Sequence, residues 1–239
     1  VPRARRAAVP FGDRVGTRVR AQPAAVLSGT DECPQFRGTV HRWSVPFAVA
    51  MSVWLVARAR GADVKAGMAV YGICIVTMLT VSGVYHLPRL SSALRTALRR
   101  ADHSTILLAI AGSYTGVIVA GMSGTTRLVL LVGTWAVAAV CIGLRLFWFD
   151  CPAYVLGLVY VGAGWSVLLN PGAYLRALDG AEIAMLVSGG MLYLIGALTL
   201  GLRWPDPWPR TFGYHEVFHT FVVLAALCHW GGLFLLVTR

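Results

Sequence analysis

The sequence predicts an all-α fold: a polytopic membrane protein built as a bundle of seven transmembrane helices. Three observations point there. Of the 239 residues, 57% are hydrophobic and only 13% charged. Mean hydropathy is +0.67, well outside the range of soluble domains. Seven apolar runs also follow one another, each close to the length needed to cross a hydrocarbon core of ~30 Å at about 1.5 Å per residue.

The elements are expected in this order. Residues 1–40 carry Arg3, Arg5, Arg6, Arg14, Arg18, Arg20 and Arg37 without apolar periodicity. They read as a disordered cytoplasmic tail lying along anionic lipid headgroups. The twin arginine Arg5–Arg6 is not followed promptly by an apolar stretch, which argues against a cleaved signal. Residues 41–239 form the membrane domain, with helices expected at 44–58, 67–87, 103–122, 127–148, 152–170, 183–202 and 215–237. The first is short and contains Pro46. The second and third are separated by a loop, 88–102, bearing Arg89, Arg95, Arg99 and Arg100. Arg145, near the end of the fourth, is expected to snorkel to the surface. Gly, Ala and Ser recur within the runs, as close helix packing in lipid requires. Trp43, Trp148, Trp204 and Trp208 fall near run ends, where an interfacial belt would place them.

Charge bears on topology. The net charge is +11, and Lys65 is the sole lysine among 21 basic residues. In a soluble domain this would suggest nucleic acid; here the excess sits in the tail and loops, so no nucleic-acid partner is expected. With the N-terminus inside, the tail, loop 88–102, Arg145, Arg203 and Arg210 lie on the inner side. They outnumber Arg58, Arg60, Lys65, Arg127, Arg176 and Arg239. The positive-inside rule therefore predicts a cytoplasmic N-terminus and an extracytoplasmic C-terminus. Cys33, Cys74, Cys141, Cys151 and Cys228 form no CxxC pair and read as small core residues.

Histidine placement carries the chemistry. His86 ends the second run, Asp102 and His103 open the third, His215 and His219 open the seventh, and His41 precedes the first. All of these fall at one membrane face. His215 and His219, at i and i+4, share one side of a helix and can grip one ion. His86 would complete three imidazole ligands for Zn²⁺, leaving a position for water, the open arrangement of catalytic zinc sites. Asp102 could position that water or take its proton; its alternative role is N-cap of the third helix. Ser82, one turn from His86, could orient the ring from behind, or bond its own helix backbone. His103 reads as a polar interface residue, and His41 as either structural or part of the site. Glu216, off the ligand face, should meet solvent or an arginine. His229 lies ten residues beyond His219, about 15 Å along the helix. It cannot share their metal and should hydrogen-bond to a neighbouring helix. The string "HEVFH" also spells the metalloprotease HExxH, but at a membrane entry with no soluble domain around it.

At "SGVYH" (Ser82, His86), "DHSTILLAIAGSYT" and "HEVFHTFVVLAALCH", in that order across residues 41–237, the sequence resembles the hemolysin III family, the bacterial branch of the progestin and adipoQ receptor family. The resemblance implies a seven-helix fold in the bacterial plasma membrane, N-terminus inside, with zinc near the cytoplasmic face. The family's zinc-binding histidines match His86, His215 and His219, and the carboxylate near the bound water matches Asp102. Family members look like relatives of membrane-embedded ceramidases, implying hydrolysis of a lipid amide, while the bacterial branch is named for haemolysis. The family's first motif normally has an acidic residue, an Asn and a His; here "ECPQFRGTVHRW" supplies Glu32 and His41 without the Asn.

Two functions follow as expectations. One is a zinc-dependent hydrolase of lipid amides or esters, with membrane lipids as partners and a lipid substrate among the helices. The other is a non-catalytic protein of membrane homeostasis, reception or perturbation, in which zinc is a structural staple between the second and seventh helices. A pore would need polar residues along a through-path, and the outer halves of the helices offer few beyond His229.

Overall fold

The computed structural model describes residues 34–148 and 151–239. Residues 1–33, and with them most of the arginine-rich tail and Cys33, lie outside the described residues. Within that range the chain forms eight α-helices and one 3₁₀ turn: α1 Thr39–Arg58, α2 Ala62–Tyr85, α3 Ser92–Gly121, α4 Gly124–Phe147, α5 Ala153–Gly164, the 3₁₀ turn Ser166–Leu169, α6 Pro171–Ala177, α7 Gly180–Leu202 and α8 Tyr214–Thr238. Helices α1, α2, α3, α4, α7 and α8 are each long and apolar enough to cross a membrane. The chain is therefore an integral, multi-pass helical protein.

Three expectations change. α1 starts at Thr39, five residues before the apolar run, and residues 34–38 are ordered as a turn rather than a tail. α3 starts at Ser92, not at 103, because Ser91 caps it by accepting the Leu94 N–H at 3.3 Å and the arginine-bearing stretch after it consists of good helix formers. At 30 residues, α3 is about 45 Å long, so its first turns extend past the hydrocarbon, where Arg95, Arg99 and Arg100 remain wet. Asp102 is therefore well inside α3 and is not its cap. The run at 152–170 is not one helix: α5 stops after 12 residues and passes through the 3₁₀ turn to Asn170, where Pro171 disfavours helical geometry at the preceding residue and opens α6.

α2 packs on α1 and α3, α3 on α4, α7 on α8, and α8 closes back on α1. Small residues set these distances. A Cβ added to Gly112 of α3 would lie 2.6 Å from the Cys74 Cβ of α2, and one on Gly72 of α2 would lie 2.5 Å from the Ser52 Cβ of α1. The core centres on Leu55, Met68, Tyr71, Ile118 and Leu233. Outward faces are apolar too: Phe147 is 94% and Leu169 86% exposed, as a bilayer rather than water would permit. Trp43, Trp148, Trp204 and Trp208 are all exposed near helix ends, in keeping with an interfacial belt. Cys74, Cys141, Cys151 and Cys228 are free thiols.

Candidate metal centre

The ends of α1, α2 and α8 that carry His41, His86, His215 and His219 meet at one end of the bundle. α2 ends at Tyr85, and His86 is its C-cap, with its N–H bonded to the Ser82 carbonyl at 3.3 Å. α8 begins at Tyr214 because two carboxylates satisfy its first amides: Glu216 accepts from Gly213 N–H at 2.8 Å and Asp206 from Tyr214 N–H at 2.9 Å. That start puts His215 and His219 on successive turns of one face.

His86, His215 and His219 converge. One ligand atom from each lies within 4.8 Å of the others, and the His86 and His215 Nε2 atoms are 3.1 Å apart. Two imidazoles held to a zinc ion at 2.0–2.1 Å in a tetrahedron stand about 3.3 Å apart, so this donor pair fits without rearrangement. The set is half-buried at His86 and His215 and buried at His219. His86 is the first residue past the α2 span. Burial, reinforced by the Arg37 charge, lowers its pKa to about 4 and leaves the ring neutral, with its nitrogen lone pair free to ligate.

Around this trio the expected residues divide. Ser82 is buried on α2, one turn before His86. His41 is 2% exposed and stacks on His219, with centroids 3.8 Å apart and planes at 14°. Stacked that way it stands outside the convergent group, and neither of its ring nitrogens has a hydrogen-bond partner among the described residues. His103 turns away from the trio toward Arg145, whose Nε and a terminal nitrogen lie 3.0 and 2.7 Å from His103 Nδ1. Arg145 does not snorkel; it is 1% exposed, engaged by α3. His229 meets α7 by lying edge-on to Tyr193 at 5.4 Å.

Sequence reading missed the strap formed by residues 35–38. Gln35 and Phe36 donate to the Arg210 and Thr211 carbonyls at 3.1 Å each, tying the strap to the loop before α8. Gly38 sits at φ +70°, and a Cβ there would lie 2.5 Å from the His86 Cβ. Only glycine lets the backbone pass so close to the ligand. Arg37 Nε reaches within 3.0 Å of Glu216 Oε1, and the glutamate, between the two α8 histidines, is wholly buried. Glu216 thus meets an arginine and not solvent. The signals available were a glycine before α1 and an acid inside HxxxH, neither of which names its partner.

Comparison with known proteins shows the family. A family model described as "Haemolysin-III related" matches residues 32–230. The "Hemolysin-3 homolog" of Bacillus subtilis (strain 168) is 30% identical over 122 residues, covering 51% of this chain and 54% of that protein, so the chain spans about half of that relative's length. "Hemolysin-3" of Bacillus cereus is 27% identical over 165 residues, 68% of this chain and 71% of the relative. The "ADIPOR-like receptor IZH2" of Saccharomyces cerevisiae is 40% identical over 60 residues, 22% of this chain and 18% of the relative. No solved structure matches.

Proposed function

This chain belongs to the haemolysin-III family, and on that premise we propose that it is a zinc-dependent membrane hydrolase of lipid amides or esters. The same reading sets it in the bacterial plasma membrane with its N-terminus cytoplasmic. The observation that carries it is the convergence of His86, His215 and His219. His41 lies outside the converging set, which favours a three-ligand site with a position left open over one closed by four protein ligands.

Zinc held by the three imidazoles would polarise the scissile carbonyl and make water a nucleophile near neutral pH. The chain supplies the rest. Asp102 takes the proton of the attacking water and returns it to the leaving amine or alcohol. The Ser82 hydroxyl, one turn before His86 on α2, would orient that carboxylate. The Arg37–Glu216 pair and the Gly38 passage hold the strap against His86, which keeps the ligand rings from swinging.

Asp102→Asn tests the catalytic role: zinc content should stay at the wild-type level while hydrolysis of ceramide-like amides and lipid esters disappears. Undiminished hydrolysis by this variant would refute the role of Asp102. A second reading draws on the name of the Bacillus relatives, Hemolysin-3, and on the site's bridging of α2 and α8. There zinc staples two helices in a membrane-perturbing or receptor-like protein, and ligand loss lowers thermal stability with no lipid hydrolysis in the wild type.

A further inference from the structure

Arginines from separate elements bracket His86. Arg37 precedes Gly38, the glycine whose added Cβ would lie 2.5 Å from the His86 Cβ. Arg42, on α1, lays its stem on α2 one turn before His86: a Cβ on Gly83 would meet the Arg42 Cγ at 2.6 Å. Its guanidinium donates to Thr39 Oγ1 at 3.0 Å, beside Gly38. Arg95, on α3, donates to the carbonyls of Leu87 and Pro88, the residues that follow His86, at 3.4 and 3.3 Å. The fields of Arg37, Arg95 and Arg42 all reach the His86 ring and oppose its protonation.

α3 carries this charge outward. Arg95, Arg99 and Asp102 stand at i, i+4 and i+7 and so share one face of the helix. The Arg95 bonds turn that face toward the end of α2. Arg99 and Arg95 lie about 4.5 and 10 Å beyond Asp102 along the axis, toward water. Arg37 is neutralised by Glu216 at 3.0 Å. Arg42 and Arg95 bond only neutral oxygens, make no ion pair among the described residues, and are both exposed. Their charges thus stand beside a partly buried, metal-capable site, where low-dielectric walls concentrate the field. A guanidinium presents a planar fork of N–H donors that matches an oxyanion, whether carboxylate or phosphate.

We propose that Arg42 and Arg95 select a lipid whose polar end is anionic, a phosphate or carboxylate set a few bonds from the scissile amide or ester. This names the substrate class of the hydrolase reading and rests on it. With the carbonyl at the histidine cluster, the anionic group reaches outward to the guanidinium pair. Neither arginine touches the reacting bond; they act on binding, so their effect falls on KM more than on kcat. Because both side chains are exposed, the selection weakens as salt rises.

The test uses the full chain in neutral detergent micelles, where no anionic bilayer concentrates a charged lipid. The substrates share one palmitoyl amide: N-palmitoylethanolamine is neutral, its phosphate ester carries phosphate, and N-palmitoyl-β-alanine carries carboxylate. Wild type should cleave an anionic amide with kcat/KM about tenfold or more above the neutral one, and the better of the two anions tells phosphate from carboxylate. Arg42→Gln with Arg95→Gln should bring that amide down to the neutral one through KM, with zinc content retained. Arg42→Lys with Arg95→Lys should keep most of the preference. Arg89→Gln with Arg100→Gln removes the same charge from the same end of the bundle, off this face, and should leave the preference intact. Equal cleavage of neutral and anionic amides overturns the selection, as does a preference that survives the glutamine pair or is lost equally in the Arg89 and Arg100 variant. Binding separates this from hydrolysis: hexadecyl phosphate or palmitate should raise the wild-type thermal midpoint above that with hexadecanol, and the glutamine pair should erase the difference. If no amide is cleaved while that difference holds, the hydrolase reading fails and the anion site stands. Cleavage without that difference keeps the hydrolase and overturns the anion site.

Discussion

Arg37→Met is the perturbation that probes the strap most cleanly, because the methionine keeps apolar bulk and removes only the charge. Glu216 is wholly buried and retains one amide donor, Gly213 N–H at 2.8 Å, when Arg37 is gone. Breaking a fully buried ion pair costs about 3–5 kcal/mol. The Arg37 side chain is 20% exposed and the remaining amide bond still serves the carboxylate, so the cost here should be about 2–3 kcal/mol. For a chain of this size that corresponds to a fall in thermal midpoint of roughly 5–10 °C. Glu216→Gln alone should cost less, since the amide keeps the helix cap and leaves a cation that can reach water. Arg37→Met combined with Glu216→Gln should recover much of the loss, giving a coupling of about 2 kcal/mol in a double-mutant cycle read by thermal unfolding in detergent. Strict additivity of the two changes would refute the claim that this pair locks the N-terminal segment to α8.

Two further outcomes follow from backbone geometry. Gly38→Ala places a side chain at φ +70° and a methyl 2.5 Å from the His86 Cβ, so the strap must lift. The φ alone costs about 1–2 kcal/mol, and metal retention should fall along with the thermal midpoint; wild-type metal retention would contradict the close approach. Gly112→Ala should lower the midpoint by several degrees, because the added Cβ meets Cys74 at 2.6 Å across the α2–α3 crossing. Gly133→Ala, whose added Cβ meets nothing within 4 Å, serves as the control and should not lower it.

The membrane class and the order of the helices were legible because hydropathy over about 20 residues is a strong, local signal. Helix ends were less so. Arginines between the second and third runs read as a loop, yet they sit on a helix that simply outruns the hydrocarbon and is capped by Ser91. The break after Gly164 was hidden within a run whose hydropathy never drops, and only Asn170–Pro171 marked it. At the site, the i, i+4 spacing of His215 and His219 was visible in one dimension, and His86 joined by depth. The strap was not, since Gly38, Arg37 and Glu216 acquire meaning only when two segments nearly 180 residues apart lie side by side. Arg145 misled for the opposite reason: proximity to a run's end suggested an escape to water, and the His103 ring on α3 gave it a reason to stay.

Metal content by mass spectrometry tests the central claim most directly, on detergent-purified wild type beside His86→Ala and His219→Ala. The account predicts about one zinc per wild-type chain, lost from both variants, because three imidazole ligands are the fewest such a site requires. Metal-free wild-type protein, or zinc retained at full occupancy in both variants, would contradict it.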